Sequence, residues 1–421
     1  METPDTPTPR SDRWILVVTG LAALVPFIVY HAMFRRLFWF GDEFDLIDQI
    51  DRLGFWHWIW FAFAENFVPL FKLLWGGSVL LFHGSYFVML VLVWLTHALN
   101  VGLLGRLMRT AGLPWAAVLF AQAFFGLTPG NMETLGWSVQ GSAMLSVTFM
   151  LLALDALLRR PYGLRPMVWA ACSALAFSRG VLTGALLSLG SLASGADLRR
   201  RLSWALAYLV PSVLVAALIA VLVSGDYKHI RGHMGESATF GTWNYALNPT
   251  LYLLSVESWG WRTVGLLGLF KLSLVTWALC AAEGRLRLLI VMLVAFDLGN
   301  AVLLGIGRFN SWLPATVSSR YQYAALVGFM PLAGFAFSRA LGALRTGAIQ
   351  RTLLAGAVVA AASLAMLAHW PSELISFTHW RGTESRRIVL GDPRAATYSV
   401  PGIPFMTITR ARELVERYHL H

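Results

Sequence analysis

The chain has 421 residues, of which 57% are hydrophobic and 13% are charged, and its mean hydropathy is +0.62. A soluble domain is usually about 25% charged, so this composition excludes a soluble globular protein and predicts many membrane spans. The net charge of +11 is carried largely by arginines spread between apolar runs, which indicates membrane orientation and argues against nucleic acid as a partner.

Eleven apolar runs are candidate transmembrane helices, judged by their length and their flanking charges. They lie near 14–33, 85–105, 113–128, 137–158, 166–177, 181–195, 203–223, 262–281, 286–306, 321–338 and 352–369. The fifth and sixth are short. The first is longer than the apolar region of a signal peptide, roughly 7–15 residues, and is read as an uncleaved span. The predicted fold class is an all-α polytopic membrane protein with about eleven transmembrane helices.

Arginine positions predict the orientation of these spans. Arginine clusters precede the first run and follow the second, fourth, sixth, eighth and tenth runs, as Arg106 and Arg109 do after the second. Arginines stay preferentially on the cytoplasmic side, and all these clusters fall there if the N-terminus is inside. Residues 1–13 are then a cytoplasmic N-terminus, 14–369 the membrane domain, and 370–421 a tail on the outer side.

The first outer loop, 34–84, is predicted to carry helices that lie in the membrane interface. Its segment 66–84 is apolar enough to span, but a crossing there would move the later arginine clusters to the outer side. Lys72 and the aromatic residues around it suit a helix that lies in the headgroup layer instead.

Five carboxylates fall within ten residues of this loop, at Asp42, Glu43, Asp45, Asp48 and Asp51. Apolar residues recur between them at helical spacing, which places Asp45, Asp48 and Asp51 on one polar face that we predict to be solvated. Asp42 and Glu43 precede this pattern, at the end of the first span. Asp42 is either a helix N-cap or a functional group that faces a cavity at the membrane boundary.

The predicted outer side carries few cations. Outside the tail they are Arg35, Arg36, Lys72, Arg179, Lys228, Arg231, Arg262, Arg308 and Arg320. Arg179 lies in an apolar stretch, where an unpaired charge is expensive, so it either binds a ligand or pairs with a headgroup or a helix-end carbonyl. The segment with Lys228 and Arg231 reads as a phosphate-binding loop, a metal loop or a solvated loop. Arg320 reads as a phosphate ligand or a headgroup anchor.

Several motifs follow one another in an informative order. The aromatic–acidic "FWFGDEFDL" 38–46 comes directly after the first span, and "ENFVPLFKLLW" 65–75 opens an outer helix with a polar residue and a proline. The next span carries a His/Asn pair in "LTHALNVGLLGRL" 95–107. A later outer loop, "LTPGNMETLGW" 127–137, has an acid after a proline, and "AFSRGVLTG" 176–184 pairs a basic residue with glycine. This order resembles the GT-C superfamily of membrane glycosyltransferases.

Members of this family take a sugar from a polyprenyl-phosphate carrier and place it on an acceptor outside the membrane. The resemblance implies a carboxylate that accepts the acceptor's proton. We take Asp42 for this role, with Glu43 and Glu133 in reserve. The resemblance also implies direct displacement, which inverts the anomeric centre. The leaving phosphate requires cations, and arginine suits it because its planar fork binds two oxygens. The candidate phosphate ligands are Arg179, Arg320, Lys228, Arg231 and Lys72.

The implied partners are a polyprenyl-phosphate-linked sugar, a protein, lipid or glycan acceptor, and membrane lipids. The implied location is the bacterial inner membrane, with the active site in the periplasm. No metal ligand is assigned, although members of the family differ in metal dependence and a divalent cation is a candidate cofactor. The alternative is a transporter or flippase of lipid-linked sugars without catalysis. An enzyme is expected to have a cavity at the outer boundary with Asp42 and the arginines, and a transporter a central path.

Overall fold

The computed structural model describes residues 10–63, 66–194, 197–222, 233–247, 260–308, 311, 315–316, 318–391, 399–400 and 403–421. Within these residues the ordered backbone is nearly all helical. In this described part of the chain, eight helical stretches are long and apolar enough to cross a bilayer. They are Asp12–Val29, Tyr86–Thr110, Ser138–Arg159, Leu198–Leu222, Trp261–Ala281, Gly284–Arg308, Ser319–Ala343 and Ala348–Gly391. The predicted class of an all-α polytopic membrane protein is confirmed in these terms.

The first half of the chain supplies twelve of the described α-helices. They are α1 (Arg10–Ala22), α2 (Val25–Val29), α3 (His31–Phe34), α4 (Asp42–Leu53), α5 (Phe55–Trp58), α6 (Pro69–Leu81), α7 (Tyr86–Thr110), α8 (Trp115–Leu127), α9 (Met132–Gly136), α10 (Gly141–Arg159), α11 (Leu164–Ala176) and α12 (Val181–Leu192). The segment predicted as an interfacial helix forms α6, which begins at Pro69 because a first-turn proline has no N–H that would need an intrahelical partner.

The second half continues with long helices and ends in a small tail. Its elements are α13 (Leu198–Leu222), α14 (Met234–Leu247), α15 (Trp261–Ala281), α16 (Gly284–Arg308), α17 (Ser319–Ala343), α18 (Ala348–Thr378), β1 (Ser399–Val400), β2 (Ile403–Thr407) and α19 (Ile408–Tyr418). The two strands pair antiparallel. Between α18 and β1 the chain forms π-helical turns over His379–Glu384 and Arg387–Gly391.

Helix α18 extends beyond the predicted span 352–369, in spite of Pro371 in its interior. A proline inside a helix leaves the carbonyl four residues earlier without its N–H partner. Here that carbonyl belongs to Leu367, and it accepts a hydrogen bond of 2.9 Å from the hydroxyl of Tyr30. This bond to the first span lets the helix continue, so residues 370–378 are helical instead of beginning a separate tail.

Three of the eleven predicted spans are short helices. Helices α8 and α11 have 13 residues each and α12 has 12, which corresponds to roughly 20 Å, against about 30 Å for the hydrocarbon core. All eleven apolar runs are helical, but the number that cross the membrane stays a prediction. Between α11 and α12 a tight turn at Ser178–Gly180 folds back onto α11. Only glycine fits at 180, because a Cβ there would collide with the carbonyl of Ser173.

The tail docks onto the acidic helix α4 through α19. Arg410 donates to Asp48 at 2.7 Å and to Asp51 at 2.6 Å, and Arg417 donates to Asp51 at 2.6 Å. Asp48 is only 4% exposed. The prediction of a solvated acidic face is therefore wrong for Asp48 and Asp51. The helical spacing placed them together correctly, but the helix that covers them follows 362 residues later in the chain.

We expect Arg410→Ala to lower the free energy of unfolding by about 2 kcal/mol, because it leaves the buried Asp48 with only its exposed partner Arg52. Thermal unfolding of the detergent-solubilised protein measures this loss. The matched control is Glu413→Ala, which removes the more exposed partner of the same arginine and is expected to change stability by less than about 1 kcal/mol. Equal losses in the two variants would contradict the importance of the Asp48 pair.

Candidate functional site

A cavity of about 410 Å³ lies where several helices begin or end. Its walls include the beginnings of α4, α10 and α17, the ends of α13 and α16, and the turn between α11 and α12. We call this the cavity end of the bundle, and it is the end that the arginine distribution predicts to face outward. Among the described residues, the charged side chains that line the cavity are those of Asp42, Arg179, Arg308 and Arg320.

Asp42 is the first residue of α4 and lines the cavity. The N-cap position is taken by Gly41, whose φ of 56° lies in a region that glycine adopts without strain. The chain thus turns sharply between the aromatic segment 38–40 and α4, and it presents Asp42 at the helix start. Of the two roles open from the sequence, the structure does not use Asp42 as the N-cap and places it on the cavity wall.

Arg179 lies in the turn between α11 and α12, and it is 7% exposed. Its guanidinium packs over the ring of Phe177 at 5.4 Å, but within the described residues it forms no ion pair, and its Nη1 atom has no hydrogen-bond acceptor. Burial lowers the pKa of Arg179 to about 10, so the side chain remains charged at neutral pH. A buried cation that lines a cavity without a counter-ion is suited to bind an anion.

Other polar groups on the cavity wall also lack partners among the described residues. They are both amide atoms of Asn300, the hydroxyl of Tyr321 and the Nε atom of Arg320. Buried polar groups in proteins are nearly always hydrogen-bonded, because leaving one unpaired costs about 1–3 kcal/mol. Their concentration on one wall therefore indicates a surface built for a polar ligand. The sequence analysis did not identify Asn300. The signal that could have found it was its position as a single asparagine in an apolar run.

Glu133, a reserve base in the sequence analysis, is held by side chains and does not line the cavity. Its carboxylate accepts a bond of 2.7 Å from Arg381 and another of 2.7 Å from the hydroxyl of Ser318. The backbone N–H of Arg320 also donates to it, at 3.3 Å. Glu133 thus joins the second outer loop to the beginning of α17, and through that helix start it positions Arg320.

Arg381 is a tail residue that the sequence did not single out. Its guanidinium lies within 4.3–5.0 Å of the ring centres of Phe40, Trp137 and Phe377 as well as bonding to Glu133. Cation–π contacts of this kind favour a partly desolvated arginine. Arg381 therefore packs the tail against both outer loops that form the cavity.

Glu43, the other reserve base, is fully buried and lies outside the cavity lining. One carboxylate oxygen accepts bonds from the backbone N–H and the hydroxyl of Ser138, and the other accepts a bond of 3.0 Å from the N–H of Phe40. The side chain therefore ties the start of α4 to the loop before α10. This geometry gives Glu43 a structural role and leaves it no direct access to a substrate in the cavity.

Burial raises the pKa of Glu43 from 4.5 to about 7. Between these values the folded state binds more protons than the unfolded state, so the stabilising contribution is complete below about pH 4.5 and is lost as the pH rises through about 7. We expect wild-type stability to fall by about 3 kcal/mol over this range from this group. Thermal unfolding between about pH 5 and 8 should show a weaker pH slope in Glu43→Gln, and an unchanged slope would contradict the assignment.

Lys72, a candidate phosphate ligand, is also placed elsewhere. Its ammonium donates to the carbonyls of Trp58 at 3.1 Å and Phe61 at 3.0 Å and lies 4.7 Å from the centre of the Trp58 ring. It closes the end of α5 and does not line the cavity. The sequence predicted an interfacial position for the helix that carries Lys72. It did not predict that backbone carbonyls of the preceding turn would accept hydrogen bonds from the ammonium group. Lys228 and Arg231 lie outside the described residues.

Among the described residues, no three side chains of His, Cys, Asp or Glu are grouped closely enough to hold a metal ion. Asp42 supplies the one carboxylate among the described lining residues. The described part of the cavity thus presents more positive than negative charge.

Comparison with protein-family models, with curated protein sequences and with solved structures found no match.

Proposed function

We propose that this chain is a membrane glycosyltransferase of the GT-C type, which moves a sugar from a polyprenyl-phosphate carrier to an acceptor hydroxyl or amide. The observation that carries the proposal is the composition of one cavity. Asp42 lines the same 410 Å³ space as Arg179, Arg308 and Arg320. A carboxylate for the acceptor and guanidinium groups for the leaving phosphate are the two features that this reaction needs together.

Asp42 is the base in this proposal. As the acceptor oxygen or nitrogen bonds to the anomeric carbon, its proton passes to the Asp42 carboxylate, and the bond from that carbon to the phosphate oxygen breaks. Attack from the side opposite the phosphate inverts the anomeric centre. The position of Asp42 at a helix start, on a loop held by the Glu43 bonds to Ser138 and Phe40, keeps the carboxylate in place without reorganisation.

Arg179 and Arg320 are the main phosphate ligands in this proposal. The leaving group gains negative charge as the sugar departs, and cations fixed in a desolvated site stabilise that charge more than mobile ones in water. Arg179 already lies buried without a counter-ion among the described residues, so its charge is available to the phosphate. Glu133 holds Arg320 through its backbone N–H, and the guanidinium of Arg320 lies 3.9 Å from the same carboxylate.

The same proposal places the cavity end in the periplasm of a bacterial inner membrane, with eleven crossings and the N-terminus inside. The arginine clusters support this orientation, since Arg106 and Arg159 lie at the opposite end of the bundle, where both pair with Asp155. A lipid carrier then reaches the cavity from the outer leaflet, and the acceptor comes from the periplasm.

The transporter alternative predicts polar groups along a path through the bundle. Of the two acids inside predicted spans, Asp155 lies at the end opposite the cavity and Asp297 is paired with Lys271 on α15 at 2.5 Å. Neither lines the cavity. Because both acids are paired and lie away from the cavity, they do not extend it into a polar path, which favours an enzyme over a transporter.

Binding and cleavage of defined lipids test the proposal. The purified full chain in nanodiscs is titrated with farnesyl phosphate and with farnesyl phosphate esters of glucose, mannose and galactose. Release of farnesyl phosphate is then followed in the presence of peptide, lipid and glycan acceptors. We expect saturable binding of at least one ester and its cleavage. If no lipid phosphate binds, the proposal fails, and movement of an intact ester across proteoliposomes would support the transporter.

A further inference from the structure

Among the described residues, the cavity wall carries the carboxamides of Asn66, Gln140 and Asn300, and Asn300 is the most buried of them. It lies on α16, is fully buried, and both its Nδ2 and Oδ1 atoms lack partners within the described residues. Arg308 is eight residues later on the same helix, which corresponds to about 12 Å along the axis. Because α16 ends at Arg308, Asn300 lies on the deeper part of the wall.

At Asn100, unlike Asn300, the packing of the helices supplies partners for both amide atoms. Asn100 is equally buried, but its amide donates to the carbonyl of Met144 at 3.1 Å and to the hydroxyl of Tyr323 at 3.0 Å. Its oxygen accepts a bond of 2.7 Å from Thr148. Packing between helices therefore explains Asn100 and leaves Asn300 unexplained.

The hydrogen-bonding capacity of Asn300 indicates which ligand group it fits. A guanidinium only donates hydrogen bonds and an ionised phosphate only accepts them, so arginines suffice for phosphate. An amide donates and accepts, and the partner that uses both capacities is a hydroxyl group. Tyr321 adds a second group that donates and accepts, since its buried hydroxyl also lacks a partner among the described residues.

We propose that Asn300 and Tyr321 form a sugar subsite that binds hydroxyl groups of the sugar attached to the donor phosphate. This inference depends on the proposed function and adds a substrate feature to it, namely a neutral polyhydroxylated sugar. Hydroxyl groups also occur on a glycan acceptor. The donor is the source that the geometry favours, because Tyr321 is packed under the guanidinium of Arg320 at 5.0 Å and shares the wall with Arg179. A sugar bonded to a phosphate at these arginines lies next to this subsite.

The test compares lipids with and without a sugar. Farnesyl phosphate and its glucose, mannose and galactose esters are titrated into wild type, Asn300→Leu and Tyr321→Phe. We expect wild type to bind at least one ester more tightly than farnesyl phosphate. Asn300→Leu should weaken binding of that ester about tenfold or more, because the sugar hydroxyl groups lose their hydrogen-bond partner. The same change should alter the affinity for farnesyl phosphate by less than about threefold. Tyr321→Phe, a milder change, should show the same selectivity.

Stability without ligand distinguishes recognition from a structural role. Replacing an unpaired buried amide by a similar apolar side chain removes a desolvation cost, so the melting temperature of Asn300→Leu should equal or exceed that of wild type. Asn100→Leu is the matched control, and it should lower the melting temperature because it breaks the bonds to Met144, Tyr323 and Thr148.

Three results would overturn the inference. Equal weakening of farnesyl phosphate and its esters in Asn300→Leu would assign the residue to the phosphate or to the fold. Unchanged donor affinity with a raised KM for a glycan acceptor would move the subsite to the acceptor. If neither the donor affinity nor the KM of the acceptor changes, Asn300 takes no part in binding the substrates. Failure of the proposed function looks different, because wild type would then bind neither farnesyl phosphate nor any ester.

Discussion

Replacing Asp42 by asparagine is expected to reduce the rate of sugar transfer by about 10²–10⁴-fold, the usual contribution of a positioned proton acceptor. The amide keeps the size of the side chain but cannot take the acceptor's proton. Binding of the donor should remain close to wild type, because the donor phosphate contacts the arginines. Initial rates of farnesyl phosphate release and the dissociation constant of a farnesyl phosphate hexose ester measure the two effects separately.

Asp45→Asn is the matched control for this experiment. Asp45 lies on the same helix, one turn from Asp42, but it bonds to Gln49 and does not line the cavity. We expect its loss to change the rate by only a few-fold. Equal losses at Asp42 and Asp45 would indicate that the acidic helix acts through its fold. Full activity in Asp42→Asn would remove Asp42 from the role of base.

Arg179→Lys is expected to reduce transfer by about 10²-fold. Lysine keeps the positive charge but loses the planar fork that binds two phosphate oxygens, so the loss should appear in turnover and in donor affinity. Arg179→Ala should lower both further. Neither change is expected to lower the melting temperature, because within the described residues the guanidinium makes no ion pair whose loss would expose a buried partner.

Arg160→Lys provides the control for Arg179, since Arg160 is an exposed residue at the end of α10 away from the cavity. Its activity and donor affinity should equal those of wild type. Wild-type turnover in a folded Arg179→Ala protein would remove Arg179 from the site. A parallel decrease in Arg160→Lys would show that the loss does not depend on the position of the arginine and would contradict a specific role for Arg179.

The helices were predictable from the sequence because a bilayer imposes length and hydrophobicity on each of them. Every predicted apolar run is helical, including the short α11 and α12 on either side of Arg179. The convergence of Asp42, Arg179 and Arg320 on one cavity was expected from the order of the motifs and the predicted sidedness. Each of these residues lies at an end of an apolar run, and the predicted sidedness puts these three ends on one side of the bundle.

The roles of the neighbouring charges were not predictable in the same way. Glu43 follows Asp42 directly, yet a rotation of about 100° around the helix turns it from the cavity towards Ser138. Asp48 and Asp51 belong to the same acidic cluster, but they hold a helix from the far end of the chain. Local composition cannot distinguish these cases, because each outcome depends on which distant segment packs against that side of the helix.

The contacts between the tail and the first outer loop also determine when, during synthesis, the site can be completed. The hydroxyl of Ser385 donates to the carbonyl of Trp39, 346 residues earlier in the chain. At about 5–20 residues per second, a ribosome needs roughly 17–70 s to pass from one partner to the other. During that interval the loop that carries Asp42 lacks the tail that packs against it. If the chain has the proposed activity, the nascent membrane domain is expected to be inactive until the segment with Ser385 has been synthesised.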